Sequence, residues 1–126
     1  MLDPFEAAPG LVAFLDPTVL GRSGARVVGP ILGRVRTPHP FICTEVRGTE
    51  SDWMPTSSKP ASGRVLVGLK WGHPAWRNPD TYADILQIWT LEGWMVRDAS
   101  RLDRSQRGNR NRASIEFLFS EEAAAA

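Results

Sequence analysis

ADILQIWTLEGWMVRD, residues 83–98, reads as a β-hairpin whose two faces are both largely apolar. Two runs rich in Ile, Leu, Trp, Met and Val flank Glu92-Gly93, and a two-residue connection with Gly second is a hairpin signal. With that turn, Leu91 faces Trp94, Trp89 faces Val96 and Gln87 faces Asp98. Paired residues share a face, so Ile85, Gln87, Trp89, Leu91, Trp94, Val96 and Asp98 line one side. Leu86, Ile88, Thr90, Met95 and Arg97 line the other. A sheet wetted on one side alternates apolar and polar residues. This stretch instead predicts packing on both sides, against the chain's own helices or a second copy, with a carboxylate and an amide on an aromatic-lined face.

Working outward, FICTEVR (41–47) reads as a strand and RVLVGLKW (64–71) as another, with Val65, Val67, Leu69 and Trp71 on one side. GTESDWMPTSSKPASG (48–63) is rich in Gly, Pro and Ser and reads as a long loop, and GHPAWRNPD (72–80) as a second loop. Upstream, Ser23 is placed to cap a helix through GARVVGPILGRVR. There Val27, Val28, Ile31, Leu32 and Val35 form a stripe at helical spacing. Gly29-Pro30 kinks that helix or splits it in two. LVAFLDPTVL (11–20) holds a short helix or a strand, broken near Asp16-Pro17. Residues 1–10 read as a loose lead-in, so that 1–20 precede the main body. Asp103 caps a last short helix, ASIEFLFS forms a terminal strand or docking segment, and 105–126 read as a flexible Arg-rich and Ala-rich tail. The expected fold is α+β, a curved, mostly antiparallel sheet on one or two helices, in one domain over 1–126.

The chain has 126 residues and a formal net charge of +1, which gives no global pull toward nucleic acid or membrane. Its one cysteine, Cys43, excludes an intrachain disulfide. With no secretory signal in MLDPFEAAPG and no apolar run long enough for a span, a reducing cytoplasm is the expected compartment. Cys43 and the two histidines supply no recognisable zinc spacing, and neither a dinucleotide fingerprint nor a phosphate-binding loop is present, so no metal or cofactor is expected. Arginines are unevenly placed. Arg97, Arg101, Arg104, Arg107, Arg110 and Arg112 fall in one short stretch. That stretch suits phosphate contacts, but no aromatics interleave for stacking, and a solvated tail is the plainer reading.

RVLVGLKW followed by YADILQIWTLEGWMVRDASRLDRSQ resembles the C-terminal half of SnoaL-like proteins of the nuclear transport factor two-like superfamily. RVLV, QIWTLEGWMVRD and LDRS match that pattern in order and spacing, and GRSGARVVGPILGRVR is similar to the helix before the sheet. The resemblance spans roughly 20–105 and implies a cone-like α+β barrel, with an apolar pocket on its concave face and a homodimer contact on its convex face. The superfamily includes ketosteroid isomerases, polyketide cyclases and epoxide hydrolases, beside relatives that only bind ligands or proteins. The sequence departs from the pattern in three places. Only about twenty residues precede the matching helix, that helix contains Gly29-Pro30, and an arginine-rich end replaces the usual last helix.

In such a pocket Trp71, Tyr82, Gln87, Trp89 and Val96 line a small hydrophobic ligand. Asp98 is the acid–base candidate, because an apolar cavity raises a carboxyl pKa by desolvation. Its plainer reading is a strand-end aspartate paired with Arg97 or Arg101. His39 and His73 are candidates for proton relay, although both adjoin prolines in loops. Trp94, beside the turn, falls at the rim; Trp53 and Trp76 fall in loops, covering a ligand or packing as satellites. Two functions follow. One is a pocketed ligand-binding domain, with isomerase- or cyclase-type chemistry if it is catalytic. The other is an interaction or assembly protein using an apolar sheet face and the arginine-rich tail.

Overall fold

The computed structural model describes residues 2–30, 34–100 and 109–119. Its elements in chain order are a 3-10 turn Pro4–Glu6, β1 Leu11–Leu15, α1 Pro17–Arg22, β2 Arg26–Val28, β3 His39–Arg47, β4 Glu50–Ser57, β5 Arg64–Leu66 and β6 Lys70–Trp71. Then come α2 Pro74–Arg77, β7 Tyr82–Asp84, β8 Ile88–Glu92, α3 Gly93–Ala99, β9 Asn111–Ala113 and a 3-10 turn Glu116–Phe119. The fold is α+β with a large antiparallel sheet. The sheet is open and runs β2-β8-β4-β3-β1-β9-β6, with β7 joining β4 to β5.

Alternation along the strands sends side chains to two separate cores. Leu11, Ala13, Leu15, Phe41, Cys43, Trp53, Trp89 and Leu91 face one side, where Leu20 of α1 and Met95, Val96 and Ala99 of α3 pack on them. Val12, Ile42 and Met54 face the other, beneath Trp76 of α2, Val65, Ala83 and Phe117. Two-sided burial, expected of residues 83–98 as a hairpin, is found instead in the central strands, while Met95, expected on the face away from Trp89, shares its core. Phe41 and Trp89 meet edge to face, centroids 5.8 Å apart.

Several expectations need correction. Residues 93–99 are helical, so the second half of the expected hairpin does not exist. Gly93 N–H donates to the Thr49 carbonyl (3.1 Å), a last cross-strand bond before the helix begins. From there Met95, Val96 and Ala99 are buried at a spacing that only a helix places on one face. Residues 50–57 are a strand, not a loop, and a central one: β4 pairs β3 over Glu50–Pro55, β8 over Glu50–Trp53 and β7 over Thr56–Ser57. The change of neighbour straddles Pro55, which has no N–H to give a ladder. The helix expected after Ser23 lies before it instead. Asp16 accepts from Thr18 N–H (2.9 Å), Pro17 takes the first turn, and Ser23 is the C-cap. Residues 26–28 are a strand on β8, and 31–33 lie outside the described residues.

Smaller differences follow the same logic. Residues 64–71 break into β5 and β6, burying Val65 and Val67 but leaving Leu69 and Trp71 outward. Pro74–Arg77 is a helical turn inside the expected loop, and Asn111–Ala113 a strand inside the expected tail. Leu11–Leu15 and buried Leu2 draw the expected lead-in into the main core. The expected cap Asp103 lies outside the described residues.

Cys43 is fully buried in β3, and burial pushes its thiol up to about 12. An aromatic disulfide reagent at pH 8 is therefore expected to leave native protein unlabelled and to titrate one thiol per chain only in denaturant. Stoichiometric labelling of native protein within minutes would contradict the placement of β3.

Candidate binding cleft

The structure scatters the residues expected to share one site. Trp89 and Val96 meet in the same closed core. Trp71 stands 53% exposed on β6 at the sheet edge, and Tyr82 is half-buried on β7. Asp98 lies on α3, its side chain one-third exposed, with Arg97 Nε 3.6 Å from its carboxylate. His73 accepts from Ala75 N–H through Nδ1 (3.0 Å) and so caps α2. His39 donates from Nδ1 to the Thr37 carbonyl (2.7 Å), an orientation assigned from that contact. Arg112 is exposed on β9. Arg110 forks onto Glu6 (2.7 and 3.0 Å) and draws the Glu6 carboxyl below its usual range. Arg101, Arg104 and Arg107 lie outside the described residues.

The amide expected beside an indole is present. Gln87 is buried, and its Oε1 accepts from Trp89 Nε1 (3.3 Å) and from Val35 N–H (3.2 Å). Its Nε2 donates to a carboxylate (3.0 Å), but that carboxylate is Asp84, not Asp98. Asp84 also accepts from Leu86 N–H (3.2 Å), a local turn that aims it at Gln87. The spacing Asp84-x-x-Gln87 is the signal that found no use in the sequence. Shallow hollows of about 140 and 180 Å³ adjoin this chain of bonds, and Arg64 borders both.

A larger and more apolar hollow lies at the other end of β8. It encloses about 360 Å³ between the β3–β4 turn, the N-terminal segment and the start of α3. Pro4, Ala7 and Val46 form its apolar walls, and Trp94 stands over it, 45% exposed. Each wall has a local cause. Helix α3 turns Met95 and Val96 into the core and so turns Trp94 out. Gly93 lets the Pro4 ring approach, since a Cβ there would lie 2.8 Å from Pro4 Cβ. Gly48, with φ +60°, makes the tight β3–β4 turn that carries Val46 and Thr49 to the cleft.

A comparison with protein-family models, curated proteins and solved structures finds no match to this chain. The stretches that carry the SnoaL-like resemblance have mixed structure: RVL is a strand, IWTLE a strand, GWMVRDA a helix, and LDRS lies outside the described residues.

Charge around the cleft is ordered. Arg47 forks onto Asp52 (2.6 and 2.9 Å), and Thr90 Oγ1 adds a third bond to that carboxylate (2.8 Å). The Arg47 guanidinium holds the Asp52 carboxyl below the usual carboxylate range, against the opposing effect of partial burial. Arg26 pairs with Glu50. Glu92 lines the cleft beside Trp94, and although it occupies the N-cap of α3 its side chain makes no cap bond. Among the described residues no group of His, Cys, Asp or Glu is arranged to hold a metal ion. No helix among them is long and apolar enough to cross a membrane.

Proposed function

We propose that this protein is a binding domain whose working site is the Trp94 cleft, taking a small ligand with an apolar body. What carries the reading is an indole held half in water over a hollow with apolar walls. A Trp of this kind gives up contact area that a core position would use, and a ligand recovers it. The volume falls at the small end of the range for ligand sites, about 300–1,000 Å³. A pocketed α+β domain is also what the SnoaL-like resemblance implies, and the cleft is the proposed counterpart of that family's pocket, displaced from the sheet face to its end. Acid–base catalysis is not part of the proposal, because Asp98, His39 and His73 do not line this cleft.

The test is a titration with neutral 2-naphthol, followed through the indole N–H signals of the five tryptophans by heteronuclear NMR. The Trp94 signal is expected to move, with Trp53 and Trp89 unmoved. Trp94→Ala is expected to weaken binding at least tenfold, about 1.4 kcal/mol, with little change in melting temperature because the side chain is not in the core. Saturable shifts confined to other tryptophans, or unchanged affinity in Trp94→Ala, would overturn it.

A further inference from the structure

We infer that the Trp94 cleft selects an organic cation, an alkylated ammonium carried on a small apolar body; this rests on the reading of the cleft as a ligand site. The starting point is a repulsion built into the sheet. Glu50 on β4 and Glu92 on β8 are direct register partners. Like charges opposed across neighbouring strands destabilise a sheet. The surrounding cations relieve only one of the two: Arg26 pairs with Glu50, while Arg47 is committed to Asp52 and Glu45. The Glu92 side chain has no hydrogen bond or ion pair among the described residues. Glu92 and Trp94 both line the cleft, and no basic side chain among the described residues lines that space.

The three features together select for positive charge. The face of an indole attracts a cation through its quadrupole, best when water is excluded. A carboxylate lining the same cleft adds a full charge of the right sign, strengthened by the low-polarity walls. The side chains of Pro4, Ala7 and Val46 offer no acceptors for the N–H bonds of a bare ammonium; the side-chain acceptors at the cleft belong to Thr49, Glu50, Ser51 and Glu92. An alkylated ammonium carries its charge without donors that need partners, and its methyl groups pack against proline and valine. A ligand of this class would also supply a cation to Glu92, the member of the pair that Arg26 leaves without one.

The experiment compares benzyltrimethylammonium with neopentylbenzene, its uncharged carbon isostere, on the wild-type chain and on Glu92→Gln. The wild type is expected to bind the cation at least fivefold more tightly than the isostere, and Glu92→Gln to reduce that preference to twofold or less. Glu92→Gln is expected to melt close to the wild-type temperature, because the loss of the cross-strand repulsion offsets the loss of a carboxylate at the α3 N-terminus, so a weaker variant cannot be dismissed as unfolded. Equal affinity for the two probes, or a cation preference that survives Glu92→Gln, would overturn the inference while leaving the ligand-site reading standing. Binding of neither probe would overturn the inference, and the 2-naphthol titration then decides the ligand-site reading by itself.

Discussion

Trp53→Ala is expected to lower the unfolding free energy by about 3–5 kcal/mol, the range for emptying a buried aromatic position. That corresponds to a fall in melting temperature of roughly 10–20 °C for a domain of this size. Trp53 has no exposed surface, and its neighbours in register are Cys43 on β3 and Trp89 on β8. Its Nε1 donates to Ser51 Oγ (2.7 Å), so the one polar atom of the ring is satisfied inside the core. Truncation therefore opens a cavity between the sheet and α3 and leaves the Ser51 hydroxyl without its donor. Trp53→Phe separates the two effects, restoring most of the volume but not the bond, and should cost about 1–3 kcal/mol. The readout is chemical denaturation with the m-value checked for constancy. A loop tryptophan would move stability by less than about 1 kcal/mol. That result for Trp53→Ala would mean that β4 is not the centre of the sheet.

The same strand shows where the sequence was opaque. ESDWMPTS carries five polar or charged residues in eight and one proline, the composition of a loop. It sits in the middle of the sheet because each polar group meets a partner that sequence order hides. Asp52 is held by Arg47 and Thr90, and Thr56 donates to the Pro40 carbonyl (2.8 Å). None of those partnerships has a local signature. GWMVRDA failed for a different reason. Its apolar residues satisfy a period of two and a period of 3.6 at once, and the bed of Leu2 and Leu20 decides for the helix. By contrast, FICTEVR and IWTLE were legible as strands because their alternation needs no outside information. The α+β class followed from them and from the mixed apolar faces. The site was legible in fragments only. The Gln87–Trp89 contact joins two residues two positions apart, although Gln87 lies just before β8, and Trp94 is outward because α3 turns it out, not because a hairpin reverses beside it. In the sequence Glu92 reads only as half of a turn. Its exposure to the cleft depends on Glu50, forty-two positions away, being its cross-strand neighbour.

Leu2→Ala is expected to cost about 2–4 kcal/mol, as a buried leucine does when truncated to alanine, although composition suggests a loose leader at this end of the chain. Leu2 is 1% exposed among the side chains of the α1–α3 core, and its N–H donates to Ser100 Oγ (2.9 Å) at the end of α3. Ser100 in turn donates to the Arg97 carbonyl (3.0 Å), so the leader closes the last turn of the helix. The Glu6–Arg110 pair lies on the surface, and exposed ion pairs contribute about 0–1 kcal/mol. Glu6→Gln is therefore the control: a small effect there beside a large one at Leu2 assigns the stability to burial rather than charge. The two classes of variant also separate fold from function. Leu2→Ala loosens the segment that carries Pro4 and Ala7, so it should weaken 2-naphthol binding in step with its loss of stability. Trp94→Ala should abolish most binding at near-wild-type stability. If Leu2→Ala unfolds at the wild-type denaturant midpoint, the N-terminal segment is not a wall of the cleft, and the ligand would have to be held by Trp94 and the β3–β4 turn alone.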